Sequence, residues 1–124
     1  MSVFAVIVIS IWMLAGGVAH MLAPEAFFPI VPDWMPELAV VYGSGVVELA
    51  IGLGVLWRRT RAVAGLSFAL LCAGFLPLHL WDFFRPDPIF SPWYAAATRC
   101  VVQLGLIGLG LLLWARRENA TPRV

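Results

Sequence analysis

Four long apolar stretches, separated by proline-rich or arginine-rich connections, make up most of this chain. They cover about residues 3–22, 38–57, 62–84 and 94–116. Each has the roughly 20 residues that a helix needs to cross a hydrocarbon core of about 30 Å. Prolines cluster in the first and third connections, and proline cannot continue a helix without losing a backbone hydrogen bond. The pattern therefore predicts four transmembrane helices, with both proline-rich connections outside the hydrocarbon.

Composition favours an integral membrane protein over a soluble one. Of the 124 residues, 62% are hydrophobic and 12% are charged. A soluble domain this apolar would expose patches that aggregate. All eight cations are arginines, and they form no basic stripe of the kind that binds nucleic acid, so no nucleic-acid partner is expected. We predict one all-α domain over residues 1–124, an up-and-down four-helix bundle surrounded by membrane lipid.

The distribution of arginines predicts an orientation. With four spans, both termini and the second connection lie on one side, which carries six arginines: Arg58, Arg59, Arg61, Arg116, Arg117 and Arg123. The other side has Arg85 and, just inside the fourth span, Arg99. Because arginine is enriched on the cytoplasmic side of membranes, both termini are expected in the cytoplasm and the protein in the inner (plasma) membrane. A cleaved signal peptide is disfavoured, since no positive residue precedes the first stretch.

The connections differ in character. The outer one at about residues 23–37 is rich in proline and aromatic side chains, whereas the inner one at residues 58–61 is an arginine turn. Aromatic rings with a polar edge prefer the headgroup level of a membrane. The outer segment is therefore expected either to lie along the surface as a lid or to form a solvated loop with a few anchors.

Small residues predict where the helices approach one another, because lipid tails provide no hydrophobic force for helix association. These residues are Ala15 and Ala19; Ala50 and Gly54; Gly65, Ala69 and Ala73; and Gly105, Gly108 and Gly110.

Nearly all polar residues within the spans fall in the outer half of the membrane. In chain order they are His20, Tyr42, Ser44, Glu48, His79, Asp82, Arg99 and Gln103. An antiparallel bundle brings these levels together, so the sequence predicts one polar pocket that opens outward. These eight side chains are the candidate ligand-binding or proton-relay residues. No residue is assigned as catalytic, and no metal site is expected.

Glu48 is the most costly of these residues, because it lies about ten residues, or roughly 15 Å, below the outer end of its helix. A carboxylate at that depth is protonated or paired, and Arg99, which cannot lose its charge, is the expected partner. Two interpretations stay open. The pair is structural and fixes the register of the helices, or it also lines a ligand or proton site.

The histidines and cysteines leave the cofactor undefined. His20 and His79 allow a metal or haem site, proton exchange with a bound quinone, or simple hydrogen bonding at the headgroup level. Quinone is the better candidate, since haem would need axial ligands from two helix ends. Cys72 and Cys100 are expected to lie roughly 9 Å apart along the bundle axis, which is too far for a disulfide.

Several motifs resemble those of the DoxX-like family of small four-helix membrane proteins. They are AGGVAH at 15–20, PIVPDWMP at 29–36, YGSGVVE at 42–48 and PLHLWD at 77–82, followed by Arg99 and Gln103. The resemblance covers about residues 12–115, and the Ser-Gly-x-x-Glu element is its most specific part. Many members of that family have Asn where this chain has His79, so a role for His79 does not extend across the family.

The resemblance implies a redox-associated membrane subunit, since the family is named after a subunit of a thiosulfate:quinone oxidoreductase. Relatives of similar fold act as membrane chaperones. The leading hypothesis is a subunit of a membrane oxidoreductase that binds a quinone-like or other small amphipathic ligand. Glu48, Arg99 and Gln103 would orient the ligand, and His20 or His79 would move protons.

The alternative hypothesis is a non-catalytic assembly or interaction protein with a structural Glu48–Arg99 pair. A redox enzyme subunit is the candidate protein partner, and a homo-oligomer is compatible with either hypothesis. A small transporter is disfavoured, because four short spans without an inverted repeat offer no alternating access; a homo-oligomer would remove that objection.

Overall fold

The computed structural model describes residues 3–117, which fold into four long helices. The bounds are Val3–Leu22 for α1, Glu37–Leu56 for α2, Arg61–Trp81 for α3 and Trp93–Ala115 for α4. Each helix is long and apolar enough to cross a membrane. A short 3-10 helix, Pro24–Ile30, follows α1. The prediction of an all-α protein with four long apolar helices is confirmed, whereas Arg123 of the orientation argument lies outside the described residues.

The end of the third helix is the one boundary that differs by more than a residue from the prediction. Hydropathy predicts a span that reaches residue 84, but α3 ends at Trp81. Oδ1 of Asp82 accepts a hydrogen bond from the backbone N–H of Ile89 at 2.7 Å, and Oδ2 accepts one from that of Phe90 at 2.9 Å. The chain turns here because the Asp82 carboxylate accepts hydrogen bonds from these two later amides. The two apolar residues that follow Asp82 lie in the turn.

The helices form two antiparallel hairpins that pack side by side. α1 packs mainly on α2, and α3 packs mainly on α4. The contacts that join the hairpins, α2 with α3 and α1 with α4, are sparser, and α2 lies diagonally opposite α4. This is the sequential packing expected of an up-and-down bundle.

Glycines allow the helices of each hairpin to approach closely. A Cβ added to Gly17 of α1 would lie 2.9 Å from the carbonyl oxygen of Gly45 on α2. A Cβ added to Gly110 of α4 would lie 2.6 Å from the carbonyl oxygen of Gly65 on α3. Backbone oxygens cannot move aside as a flexible side chain can, so only glycine fits at these crossings.

The rows of small residues predicted from the sequence are partly wrong. Ala15 and Ala50 lie on exposed faces of their helices. A Cβ on Gly105 or Gly108 would meet nothing within 4 Å. These residues therefore make no close helix–helix contact within the described part of the chain.

The arginine turn closes the end of α2. Thr60 Oγ1 donates a hydrogen bond to the carbonyl of Gly54 at 2.7 Å. Arg61, the first residue of α3, donates from Nε to the carbonyl of Val55 at 2.8 Å and from Nη2 to that of Leu56 at 3.0 Å. The last four carbonyls of a helix have no partner within it, so these side chains satisfy groups that would otherwise need water.

The apolar core lies in the half of the bundle that contains this turn. Ile9, Val55 and Phe68 are fully buried at its centre. On the outside, large apolar side chains such as Leu53 and Val101 are well exposed. A surface of this kind is stable in lipid and unstable in water. The protein is therefore a small multi-pass membrane protein.

Candidate functional site

A cavity of about 650 Å³ lies between the helices, in the half of the bundle opposite the α2–α3 turn. Its volume is within the range of about 300–1,000 Å³ typical of small-molecule sites. All four helices line it, together with the segment 24–36, which we call the lid. The lid contributes mainly apolar and aromatic side chains to the cavity wall: Phe27, Ile30, Trp34 and Met35.

Glu48 lies on the wall formed by the α1–α2 hairpin and is 5% exposed. Its Oε1 accepts a hydrogen bond from Ser44 Oγ at 3.3 Å, and its Oε2 lies 3.6 Å from Nδ1 of His20. The predicted ion pair with Arg99 is wrong, because no ion pair joins these two side chains in the described structure. α4 lies diagonally across the bundle from α2, whereas α1 is the close neighbour whose histidine reaches the carboxylate.

Gly16 makes room for this carboxylate. A Cβ on Gly16 would lie 2.5 Å from Oε2 of Glu48 and 3.6 Å from its Cδ. Gly16 is one turn before His20 on α1, so the two residues share a helix face and together form the surface on which Glu48 lies. Gly16 is not among the predicted site residues, although its spacing from His20 was the signal available in the sequence.

His20 connects the carboxylate to the lid. Its Nδ1 lies 2.7 Å from the carbonyl oxygen of Gly16, and since a carbonyl only accepts, Nδ1 carries the proton and donates it. The imidazole is stacked on the ring of Phe27, with centroids 3.8 Å apart and planes inclined by 18°. Movement of the lid would therefore disturb the residue that lies beside Glu48.

A second contact fastens the lid to the other hairpin. Nη1 of Arg85, which follows α3, donates a hydrogen bond to the carbonyl of Pro29 at 2.9 Å. The guanidinium of Arg85 also lies over the ring of Trp81, 4.9 Å from its centroid. The lid is thus held by α1 on one side and by the end of the α3 segment on the other.

The wall formed by the α3–α4 hairpin carries His79, Arg99 and Gln103. Nε2 of Gln103 donates a hydrogen bond to the backbone carbonyl of Cys72 at 2.8 Å and so ties α4 to α3. The guanidinium of Arg99 lies 5.1 Å from the centroid of the Phe90 ring. Its Nε is buried without a hydrogen-bond partner among residues 3–117. Arginine stays charged, so this wall presents a positive group that forms no ion pair with a described carboxylate.

Two of the eight predicted residues do not line the cavity. Asp82 is buried, but both of its carboxylate oxygens are occupied by backbone amides of the third connection. Tyr42 is 41% exposed on the outer face of α2. It precedes Ser44 by two residues, which is more than half a turn of a helix, so helix geometry already separates their faces. The other six candidates, His20, Ser44, Glu48, His79, Arg99 and Gln103, surround one cavity.

Both cysteines are free thiols, as predicted. Cys72 is buried and lines the cavity, whereas Cys100 is partly exposed. Within residues 3–117, no group of three His, Cys, Asp or Glu side chains has the arrangement needed to hold a metal ion.

The cavity is continuous with the outside of the bundle. Leu70 of α3 and Trp34 of the lid both line it, yet they are 64% and 82% exposed. Leu70 lies on a transmembrane helix, so this part of the opening faces lipid.

The sequence model of a protein family, described as a domain of unknown function (DUF8561), matches residues 9–117. The matched range includes every residue that lines the cavity. No curated protein and no solved structure matches the chain significantly. The DoxX-like family gave no match, so the likeness to it is limited to the motifs described above.

Proposed function

This chain belongs to the DUF8561 family, and we propose from its own geometry that it binds a quinone-like or other small amphipathic molecule between its helices. The observation that carries the proposal is the cavity itself. It is mainly apolar, it opens toward lipid, and it places polar groups on two different hairpins, with Glu48 and His20 on one and Arg99 on the other. Ligand sites commonly combine such an apolar lining with a few convergent polar groups.

The polar groups differ in what they offer a ligand. The guanidinium of Arg99 has only hydrogen-bond donors, and an ionised Glu48 has only acceptors. Quinone oxygens accept hydrogen bonds, and the hydroxyls of the reduced form donate them. Arg99 would therefore orient an oxygen of the ligand, and Glu48 together with His20 would accept or return a proton. Apolar side chains such as Phe75 and Leu78 would hold the ring and tail.

We place this activity in a redox-associated subunit of the inner (plasma) membrane, with both termini in the cytoplasm and the lid on the opposite side. The motif resemblance supports the redox association, and the distribution of arginines supports the orientation. In that role a partner redox enzyme would exchange electrons with the bound quinone. This chain would provide the binding site and the groups that hold or move the proton.

Quinone binding to the purified full chain tests the proposal. Decylubiquinone is titrated into the protein in mild detergent, and quenching of tryptophan fluorescence is measured, because Trp12 and Trp34 line the cavity. Saturable quenching is expected. Arg99→Gln should weaken binding of decylubiquinone by about tenfold or more, since a hydrogen bond to a charged group contributes about 1.5–3 kcal/mol. Glu48→Gln should weaken binding of the reduced form, decylubiquinol, by a similar factor, because only the hydroxyls of the reduced form can donate to the carboxylate.

The matched controls are Glu37→Gln and Arg59→Gln, which change exposed charged residues outside the cavity and should leave binding unchanged. Absence of saturable quenching by the folded wild-type protein would refute quinone binding. Equal affinity of all four variants would show that binding occurs elsewhere on the protein.

A non-catalytic assembly protein is the second candidate, and the internal contacts of the polar residues favour it. Glu48 already has Ser44 and His20 as partners, and Gln103 already bonds to α3. If these contacts are purely structural, Glu48→Gln lowers thermal stability and quinone does not raise it. A ligand at 100 times its Kd would raise the free energy of unfolding by about 2.7 kcal/mol, so thermal unfolding with and without quinone separates the two functions.

A further inference from the structure

The two charged side chains on the walls of the cavity, Glu48 and Arg99, differ in how many hydrogen-bond or ion-pair partners they have. The Glu48 carboxylate contacts Ser44 and His20. The Arg99 guanidinium makes no hydrogen bond or ion pair with any residue between 3 and 117, and its Nε is buried. Arginine does not lose its proton, and a buried charged donor without an acceptor is unfavourable. Arg99 therefore lacks a counter-charge at a position that lines the cavity.

None of the described acidic residues forms an ion pair with Arg99. Glu48 lies on the diagonally opposite helix and is held by the α1–α2 hairpin. Asp82 uses both carboxylate oxygens on the amides of Ile89 and Phe90. The remaining described acids lie exposed in the connections or at the start of α2: Glu25, Asp33, Glu37 and Asp87.

The surroundings of Arg99 define what can occupy the space beside it. One face of the guanidinium is covered by Phe90. The cavity lining also includes the apolar side chains of Leu71 and Phe75, and Leu70, which lines it too, is 64% exposed. Arg99 lies six residues, or about 9 Å, from the start of α4 at Trp93. A head group that pairs with Arg99 must therefore lie deeper in the bundle than the N-terminal end of α4. A guanidinium forms its strongest pairs with carboxylate or phosphate oxygens.

We infer that the preferred ligand of the cavity is an anionic amphiphile, whose carboxylate or phosphate head pairs with Arg99 while its apolar tail follows the cavity toward the bilayer. This inference rests on the proposed ligand-binding function and narrows the ligand class. The same chemistry has two sources, a membrane phospholipid or a free lipophilic acid. Arg99 is the residue that distinguishes such a ligand from a neutral molecule with the same tail.

Native mass spectrometry of the full chain in mild detergent tests the inference with matched probes. Oleate and oleyl alcohol share one tail and differ in the charge of the head. We expect oleate to bind at least about tenfold more tightly, which corresponds to about 1.4 kcal/mol. Arg99→Gln should remove this preference, and Arg99→Lys should keep part of it. Arg59→Gln, at an exposed position outside the cavity, should preserve it fully.

Dioleoyl phosphatidylglycerol and decylubiquinone complete the set of probes. Tighter binding of phosphatidylglycerol than of oleate identifies a membrane lipid as the source, and the reverse identifies a free acid. Equal binding of oleate and oleyl alcohol by the wild-type protein overturns the inference, and binding of decylubiquinone in the same samples shows that the proposed function survives. Absence of binding by every probe overturns both. The comparison of oleate with oleyl alcohol on the wild-type protein tests the inference even if Arg99→Gln fails to fold.

Discussion

Replacing Gly16 by alanine tests whether the position of the Glu48 carboxylate depends on the absence of a side chain on α1. A Cβ at residue 16 would lie 2.5 Å from Oε2 of Glu48, whereas an ordinary contact begins at 3.4 Å. The carboxylate ends a flexible side chain and can withdraw. Its Oε2 then moves away from His20 Nδ1, and its Oε1 loses its alignment with Ser44.

The expected loss in the free energy of unfolding is about 1–2 kcal/mol. Hydrogen bonds to charged groups contribute about 1.5–3 kcal/mol, and overpacking a buried contact typically costs about 1–3 kcal/mol. The carboxylate has to move only from 2.5 Å to 3.4 Å, so these contacts weaken without being lost. Alanine also recovers up to about 1 kcal/mol relative to glycine in a helix, which offsets part of the loss.

Reversible unfolding of the purified chain in mixed micelles, followed by far-ultraviolet circular dichroism, measures this difference. Gly105→Ala is the matched control, because a Cβ there meets nothing within 4 Å. It should be neutral or stabilising by up to about 1 kcal/mol. The decisive measurement is a double-mutant cycle with Glu48→Ala, which removes the carboxylate. In that background Gly16→Ala should cost nothing, so the coupling energy should be about 1–2 kcal/mol.

One result would refute the reasoning. If Gly16→Ala destabilises the protein equally with and without the Glu48 carboxylate, the cost arises from the packing of the α1 backbone and not from the carboxylate. A stabilising effect of Gly16→Ala in the wild-type background would show that the carboxylate finds equally good partners after it withdraws.

Two further substitutions test the second hairpin and the third connection. Gly110→Ala should lower the free energy of unfolding by about 1–3 kcal/mol, because its Cβ would lie 2.6 Å from the Gly65 carbonyl oxygen. Gly108→Ala meets nothing within 4 Å and should be neutral, so equal losses for both would contradict the packing described here. Asp82→Ala should accelerate hydrogen exchange at the amides of Ile89 and Phe90 by about tenfold or more, while amides of α1 keep their rates. Unchanged exchange at these two amides would argue against the role of Asp82 in closing the connection.

The bounds of the helices could largely be predicted from the sequence, because hydropathy and proline positions mark the ends of the spans. Three helices begin and end within one residue of the predicted bounds. The third ends early because Asp82 bonds to amides seven and eight residues later, and hydropathy carries no information on such a contact. The apolar residues after Asp82 lengthen the hydrophobic stretch in the sequence, but they are not part of the helix.

The rotation of each helix and the identity of its neighbours could not be predicted in the same way. Depth places Glu48 and Arg99 in the same half of the membrane, and charge alone then suggests a pair. The structure separates them because α2 and α4 lie on a diagonal, so the carboxylate contacts His20 of the adjacent helix. Tyr42 shows the opposite case, since its spacing from Ser44 already predicts that it faces away from the cavity.

The attachment of the lid to both hairpins bears on how a ligand would be supplied. Phe27 of the lid is stacked on a residue of the first hairpin, and Pro29 is bonded to Arg85 beside the second. Lifting the lid would break both contacts, whereas entry beside Leu70 breaks neither of them. If the cavity binds the ligand proposed above, the bilayer is therefore the favoured reservoir from which that ligand exchanges.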